Sequence, residues 1–97
     1  KDLQAIEVLK EDKSKTVLKE FLQQAENLDH LTSENLGQLV KSVQKTTGIK
    51  GRGLWMPLRC AITREVSGPE LPAMLDFFGG EKCLHLIRQT LENPSLN

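Results

Sequence analysis

Apolar residues recur along most of this chain at the three- and four-residue intervals of an α-helix, and no stretch alternates convincingly as a strand would. In TVLKEFLQQAEN, Thr16 to Asn27, the residues Val17, Leu18, Phe21, Leu22 and Ala25 share one helical face. A looser helix over about Leu3 to Leu9 precedes it, with EDKSK as the break. LTSENLGQLVKSVQKTTG carries the stripe Leu36, Leu39, Val40 and Val43. Ser33 is placed to cap it, Glu34 suits its positive N-terminal end, and Gly48 stands where a left-handed residue would end it. Gly37, inside that helix, costs about 1 kcal/mol relative to alanine.

The last third is punctuated by proline and glycine. In SGPELPAMLDFFGG, Pro69 fits a first helical turn, where its missing N–H is not needed, and Pro72 still lies within that turn. Leu71, Met74, Leu75 and Phe78 follow at i, i+3, i+4 and i+7, and Gly79–Gly80 stops the helix. EKCLHLIRQTLEN places Leu84, Ile87 and Leu91 on one side. PLRCAITR reads as a short helix begun by Pro57 that turns Leu58, Ala61 and Ile62 to the core. The pattern predicts an all-α fold, a small helical bundle, and says nothing yet about function.

Ninety-seven residues suit one domain with a modest core. No apolar run approaches the ~20 residues of a membrane span, so no membrane partner is expected. The chain starts at Lys1 rather than methionine and shows no signal peptide, which reads as a fragment of a longer protein. Cys60 and Cys83 lie 23 positions apart without a CxxC, and are expected as reduced, partly buried thiols in a cytoplasmic protein. His30 and His85 have no evident partner for a metal or for catalysis.

Charge changes the picture. The formal net charge is zero, yet residues 1–40 and 65–97 each balance at −3, while residues 41–64 carry Lys41, Lys45, Lys50, Arg52, Arg59 and Arg64 and no acid. Such a block is either a solvated basic face or a surface for a polyanion. It coincides with TGIKGRGLWMPLR, which holds three glycines and the single tryptophan. Phosphate-loop, zinc-hydrolase and nucleophile–base motifs are absent from the sequence, and GIKGRG follows a helix rather than a strand, which removes the dinucleotide-binding reading. Neither a catalytic residue, nor a cofactor, nor a metal site is expected in these residues.

A binding surface is the better fit. Gly48, Gly51 and Gly53, alternating with Lys50 and Arg52, allow close approach of a phosphate backbone. Trp55 either anchors the core, its commoner role, or offers a face for stacking. Arg59 either pairs with a carboxylate such as Glu65 or Glu70, or presents its planar fork to paired acceptors. Beyond Arg64, Ser67-Gly68-Pro69-Glu70-Leu71 opens a helix whose free N–H groups can donate to oxygen-rich ligands.

In order and spacing, TGIKGRGLWMPLRCAITREVSGPELPAMLDFFGGEKCLHLI resembles the end of bacterial-type glutamyl-tRNA synthetases, tightly from Thr47 to about Leu91. The resemblance implies an all-α, C-terminal anticodon-binding domain of the helical-cage kind, monomeric as a fragment. It implies a longer parent enzyme that activates glutamate with ATP and magnesium and joins it to its tRNA in the cytoplasm. It further implies that Arg59 of PLR contacts the anticodon, and that Gly68, Pro69 and Leu71 line the pocket for its last bases. Lys41 falls near a frequent basic contact. The partner implied is the glutamate tRNA, with the glutamine tRNA left open. A guanidinium can address N3 and O2 of cytosine together, whereas uracil presents a donor at N3; Lys45, Lys50 and Arg52 would meet phosphates. One position departs: the family has glycine where this chain has Arg64, so that the loop differs or Arg64 adds a phosphate contact. Two other classes stay open, a protein-interaction module and a general RNA-binding domain. Joint exposure of Leu54, Trp55 and Met56 would favour the first, and equal binding of unrelated hairpins the second.

Overall fold

In the computed structural model, which describes residues 2–96, every regular element is helical. α1 (Leu3–Lys10) and α2 (Asp12–Ala25) are separated by the extended backbone of Glu11 alone (φ −70°, ψ 142°). The expected break over EDKSK therefore shrinks to one residue. Asp12 suits the first turn of a helix, and Ser14 is buried there. A turn made of polar residues leaves no hydrophobic stripe to read.

α3 (Leu36–Thr47) starts differently from expectation. Ser33 does not cap it; instead the Thr32 N–H donates to Asn35 Oδ1 at 2.9 Å and the Asn35 N–H to Thr32 Oγ1 at 3.3 Å. The two residues, three apart, satisfy each other's main chain reciprocally. Gly48 ends the helix in the left-handed conformation (φ 74°), as the sequence predicts.

The largest correction is α4 (Arg52–Thr63). The chain enters α4 through Gly51, whose combination of φ 64° and ψ −137° no side-chain-bearing residue adopts readily, and the Gly51 carbonyl accepts from the N–H groups of Leu54 and Trp55. Helix is thus already established when Pro57 arrives. Pro57 does not begin the helix but sits inside it, buried, without the N–H that would have reached Gly53. Its neighbours Leu54, Met56, Leu58, Cys60, Ala61 and Ile62 are buried with it. What α4 leaves to solvent is mainly a line at i, i+3 and i+7: Arg52, Trp55 and Arg59.

α5 (Leu71–Phe78) begins two residues after Pro69, with Pro72 in its first turn, and α6 (Gly80–Glu92) leads to a 3₁₀ turn at Pro94–Leu96. α2 packs on α1, α3, α4 and α6, and α4 on α1, α2, α5 and α6, so these two helices form the centre of the bundle. Val17, Leu18 and Phe21 of α2 lie with Leu54 and Leu58 of α4 in the core, and Val43, Met74 and Ile87 close it from three other helices. On α6 the buried line is Cys83, Ile87 and Thr90, while Leu84 and Leu91 are half-buried.

Gly79 and Gly80 do different work. Gly79 turns the chain with φ 88°, whereas Gly80 permits contact: a Cβ on it would run into the carbonyl oxygen of Leu31, whose carbonyl carbon would lie 2.9 Å away. Cys60 and Cys83 are free and more buried than expected, and loss of hydration pushes both thiols up to about 11. For Cys60 the Asp2 carboxylate adds to that rise.

Candidate nucleic-acid interface

Trp55 and Arg59, one turn apart on α4, meet the start of α5 in an open groove of about 430 Å³ lined by Trp55, Arg59, Glu70, Leu71 and Pro72. Two segments separated in sequence are brought together here, the PLR helix and the GPEL turn. Leu71 is buried, while Glu70 and Pro72 are exposed. Trp55 is 38% exposed, against Leu54 at 0% and Met56 at 7%. It is therefore not a core anchor, and the three do not form a joint apolar patch.

Arg59 is half-buried. Its Nη1 donates to the Val66 carbonyl at 3.5 Å, a long bond, and its Nε is buried with no hydrogen-bond partner. Neither Glu65 nor Glu70 accepts from it. A guanidinium held at a groove with donor capacity to spare can take further acceptors from a ligand.

The loop between α4 and α5 is fixed from several sides. Thr63 Oγ1 donates to the Arg59 carbonyl at 3.0 Å and accepts from the Glu65 N–H at 3.2 Å. One residue further, Asp2 Oδ2 accepts from the Val66 N–H at 3.0 Å, while Asp2 Oδ1 caps α1 through Gln4 and Ala5. Val66 is thus gripped at its N–H by Asp2 and at its carbonyl by Arg59. Sequence reading missed Asp2, because 64 residues separate it from Val66 and no local pattern links them.

The Val66 N–H, followed by those of Ala5 and Gln4, holds the Asp2 carboxyl below its usual 3.8 against a smaller opposing effect of desolvation. The tether is therefore complete at neutral pH and weakens only as pH falls through that lowered value. In an acid titration by NMR, the Val66 amide is expected to shift with a midpoint below those of exposed carboxylates. A midpoint at or above the ordinary value would mean that the tether does not form.

The other residues singled out in the sequence are spread along the molecule. Gly68 (φ 134°) and Pro69 are exposed in the loop that enters α5, adjacent in sequence to the groove residues. Arg52 continues the Trp55–Arg59 line but borders a second depression with Lys13, Ser14 and Met56. Lys50 is exposed between α3 and α4. Lys41 and Lys45, both exposed, stand opposite the core stripe of α3 and do not line the groove.

Arg64 resolves the departure from the resembled pattern. Its backbone is left-handed (φ 62°, ψ 26°), the conformation a glycine would take, and its N–H closes α4 on the Cys60 carbonyl at 2.8 Å. The side chain turns into the fold, with Nη1 donating to the Ala61 carbonyl at 3.0 Å and to Thr90 Oγ1. The loop keeps a glycine's shape, and this guanidinium ties α4 to α6.

No cluster of His, Cys, Asp and Glu among the described residues is suited to hold a metal. No helix is long and apolar enough to cross a membrane. Compared with known proteins, residues 2–91 match the family described as anticodon binding domain. The chain is 40% identical over 90 residues to the glutamate–tRNA ligase of Latilactobacillus sakei, covering 93% of this chain and 18% of that protein. It is 42% identical over 89 residues to that of Limosilactobacillus fermentum, covering 88% and 18%, and 37% identical over 89 residues to that of Geobacillus stearothermophilus, covering 92% and 18%. The chain thus spans about 18% of the length of these curated relatives. No solved structure gives a match. With helices throughout, the PLR helix and the GPEL turn joined at one groove, and a family match over nearly the whole length, the chain belongs to the anticodon binding domain family.

Proposed function

We infer that this chain receives the anticodon loop of a transfer RNA on the groove between α4 and α5. Its role is to position a glutamate tRNA for a longer cytoplasmic synthetase that uses ATP and magnesium. The observation that carries the reading is the state of Arg59: at an open groove, beside an exposed tryptophan, with a single long Nη1 bond to Val66 and no carboxylate locked onto it. Unpaired loop bases expose the edges and faces that such a site can take. Trp55 and Leu71 would support a base face while Arg59 reads an edge, and the exposed backbone around Gly68 would meet a neighbouring base. Lys41, Lys45, Lys50 and Arg52 would contact phosphates and set the register. Relatives named glutamate–tRNA ligase support the glutamate assignment.

A chemical-shift titration of the chain with an anticodon stem-loop tests the reading. Perturbations are expected at Trp55, Arg59 and residues 66–72, and they should weaken when the last two triplet bases are altered. Equal perturbation by unrelated hairpins would instead assign general RNA binding.

Lys50→Ala and Arg52→Ala should each lower affinity for every triplet to a similar extent. Each true phosphate contact removed should reduce the log–log dependence of binding on salt by about 0.7. An unchanged slope would assign both side chains to solvent.

A further inference from the structure

Glu70 lines the same groove as Arg59, and the fold gives it little to do. It occupies the N-cap position of α5, yet its side chain makes no capping bond. Among the described residues its carboxylate accepts no hydrogen bond and forms no ion pair. Ser, Thr, Asp or Asn would satisfy the helix start better, since their shorter side chains reach its N–H groups. A negative charge there favours the helix dipole, but an aspartate would supply that too. What glutamate adds is reach: a bare acceptor lining the same groove as a guanidinium whose Nη groups make only one long bond, to Val66.

Only one standard pyrimidine edge matches that pair. Cytosine offers adjacent acceptors at N3 and O2 and, beside them, the N4 amine as a donor, and carboxylates are suited to accept from that amine. Uracil presents a donor at N3 and an acceptor at position 4, so it would leave Arg59 short of an acceptor and set O4 against a carboxylate. We propose that Glu70 is a specificity-determining residue of the groove, its carboxylate accepting the N4 amine of a cytosine whose N3 and O2 accept from Arg59. The inference rests on the anticodon reading above and names which base the groove selects. The exposed apolar faces of Trp55 and Pro72 suit a flat ring entering from solvent.

Deleting the amine alone tests this. Three anticodon stem-loops, each with a single cytosine in an otherwise uridine triplet, identify the position that the chain prefers by fluorescence anisotropy. At that position cytosine is replaced by 2-pyrimidinone, which keeps N3 and O2 and lacks the amine. For the unaltered chain the replacement is expected to weaken binding by roughly 5-fold or more, as loss of a base contact does. For Glu70→Ala it should have no effect, and in Glu70→Gln the preference for cytosine over uracil should fall by roughly tenfold, since an amide can donate to O4. If Glu70→Ala remains as sensitive to the missing amine as the unaltered chain, the inference fails and the anticodon reading stands. Uniform tightening of every stem-loop by both variants would overturn it too, reducing Glu70 to a repelling charge. If the unaltered chain binds no stem-loop, both readings fall.

Discussion

Gly80→Ala is expected to be the most damaging single-methyl change that can be made in this domain. The added Cβ would meet the main chain of Leu31, a carbonyl that cannot rotate aside as a side chain would. Overpacking typically costs about 1–3 kcal/mol and occasionally more, and this site belongs at the upper end, about 3 kcal/mol. Domains of this size have only about 5–15 kcal/mol in total, so thermal unfolding should drop by more than about 10 °C. Gly79→Ala provides the comparison. There the cost is backbone strain at φ 88° with nothing near the new methyl. Gly80→Ala should therefore melt lower than Gly79→Ala; the reverse order would show that the dihedral, not the contact, makes this turn.

Arg59→Ala should carry the largest functional loss. Removing a side chain that reads a base edge costs roughly 1–3 kcal/mol, or about 5- to 150-fold in anticodon stem-loop affinity. The loss should concentrate on the triplet position that it reads. Arg59→Lys should fare little better, because an ammonium lacks the planar fork with its paired Nη donors. Arg59 also holds the Val66 carbonyl, so a loosened loop could mimic a lost base contact. Asp2→Ala separates the two, since it releases the same residue, Val66, from its N–H side without touching the groove. Equal loss of RNA binding in both variants would reassign Arg59 to loop support; a loss confined to Arg59→Ala would place it on the base.

Much of the architecture could be read from the sequence because hydrophobic stripes report it directly. Leu36, Leu39, Val40 and Val43 lie buried on α3, as do Leu71, Met74 and Leu75 on α5. The misreadings fall where no stripe exists or where a proline misdirects the reading of one. Lys13 to Lys15 make a helical turn from polar residues, and Arg52 to Met56 are helical ahead of a proline that usually marks a start. Ser33 lost its expected role to Thr32 and Asn35, which satisfy each other.

For the site, local chemistry pointed to Arg59 and to the turn before Leu71, and these meet at the groove. It could not show that Arg64 keeps a glycine's backbone while reaching Thr90, since that bond spans 26 residues. Nor could it show that Glu70 stays unpaired in the groove that Arg59 lines. Both facts depend on how helices pack, which no short window of sequence contains.

The narrow solvent line on α4 limits how this module can be retargeted. Anyone seeking a variant that accepts a different triplet cannot diversify the whole helix, because seven of its twelve residues are buried. Libraries restricted to positions 55 and 59, paired with 70 and 72 on the facing helix, would vary the groove while leaving the interior intact.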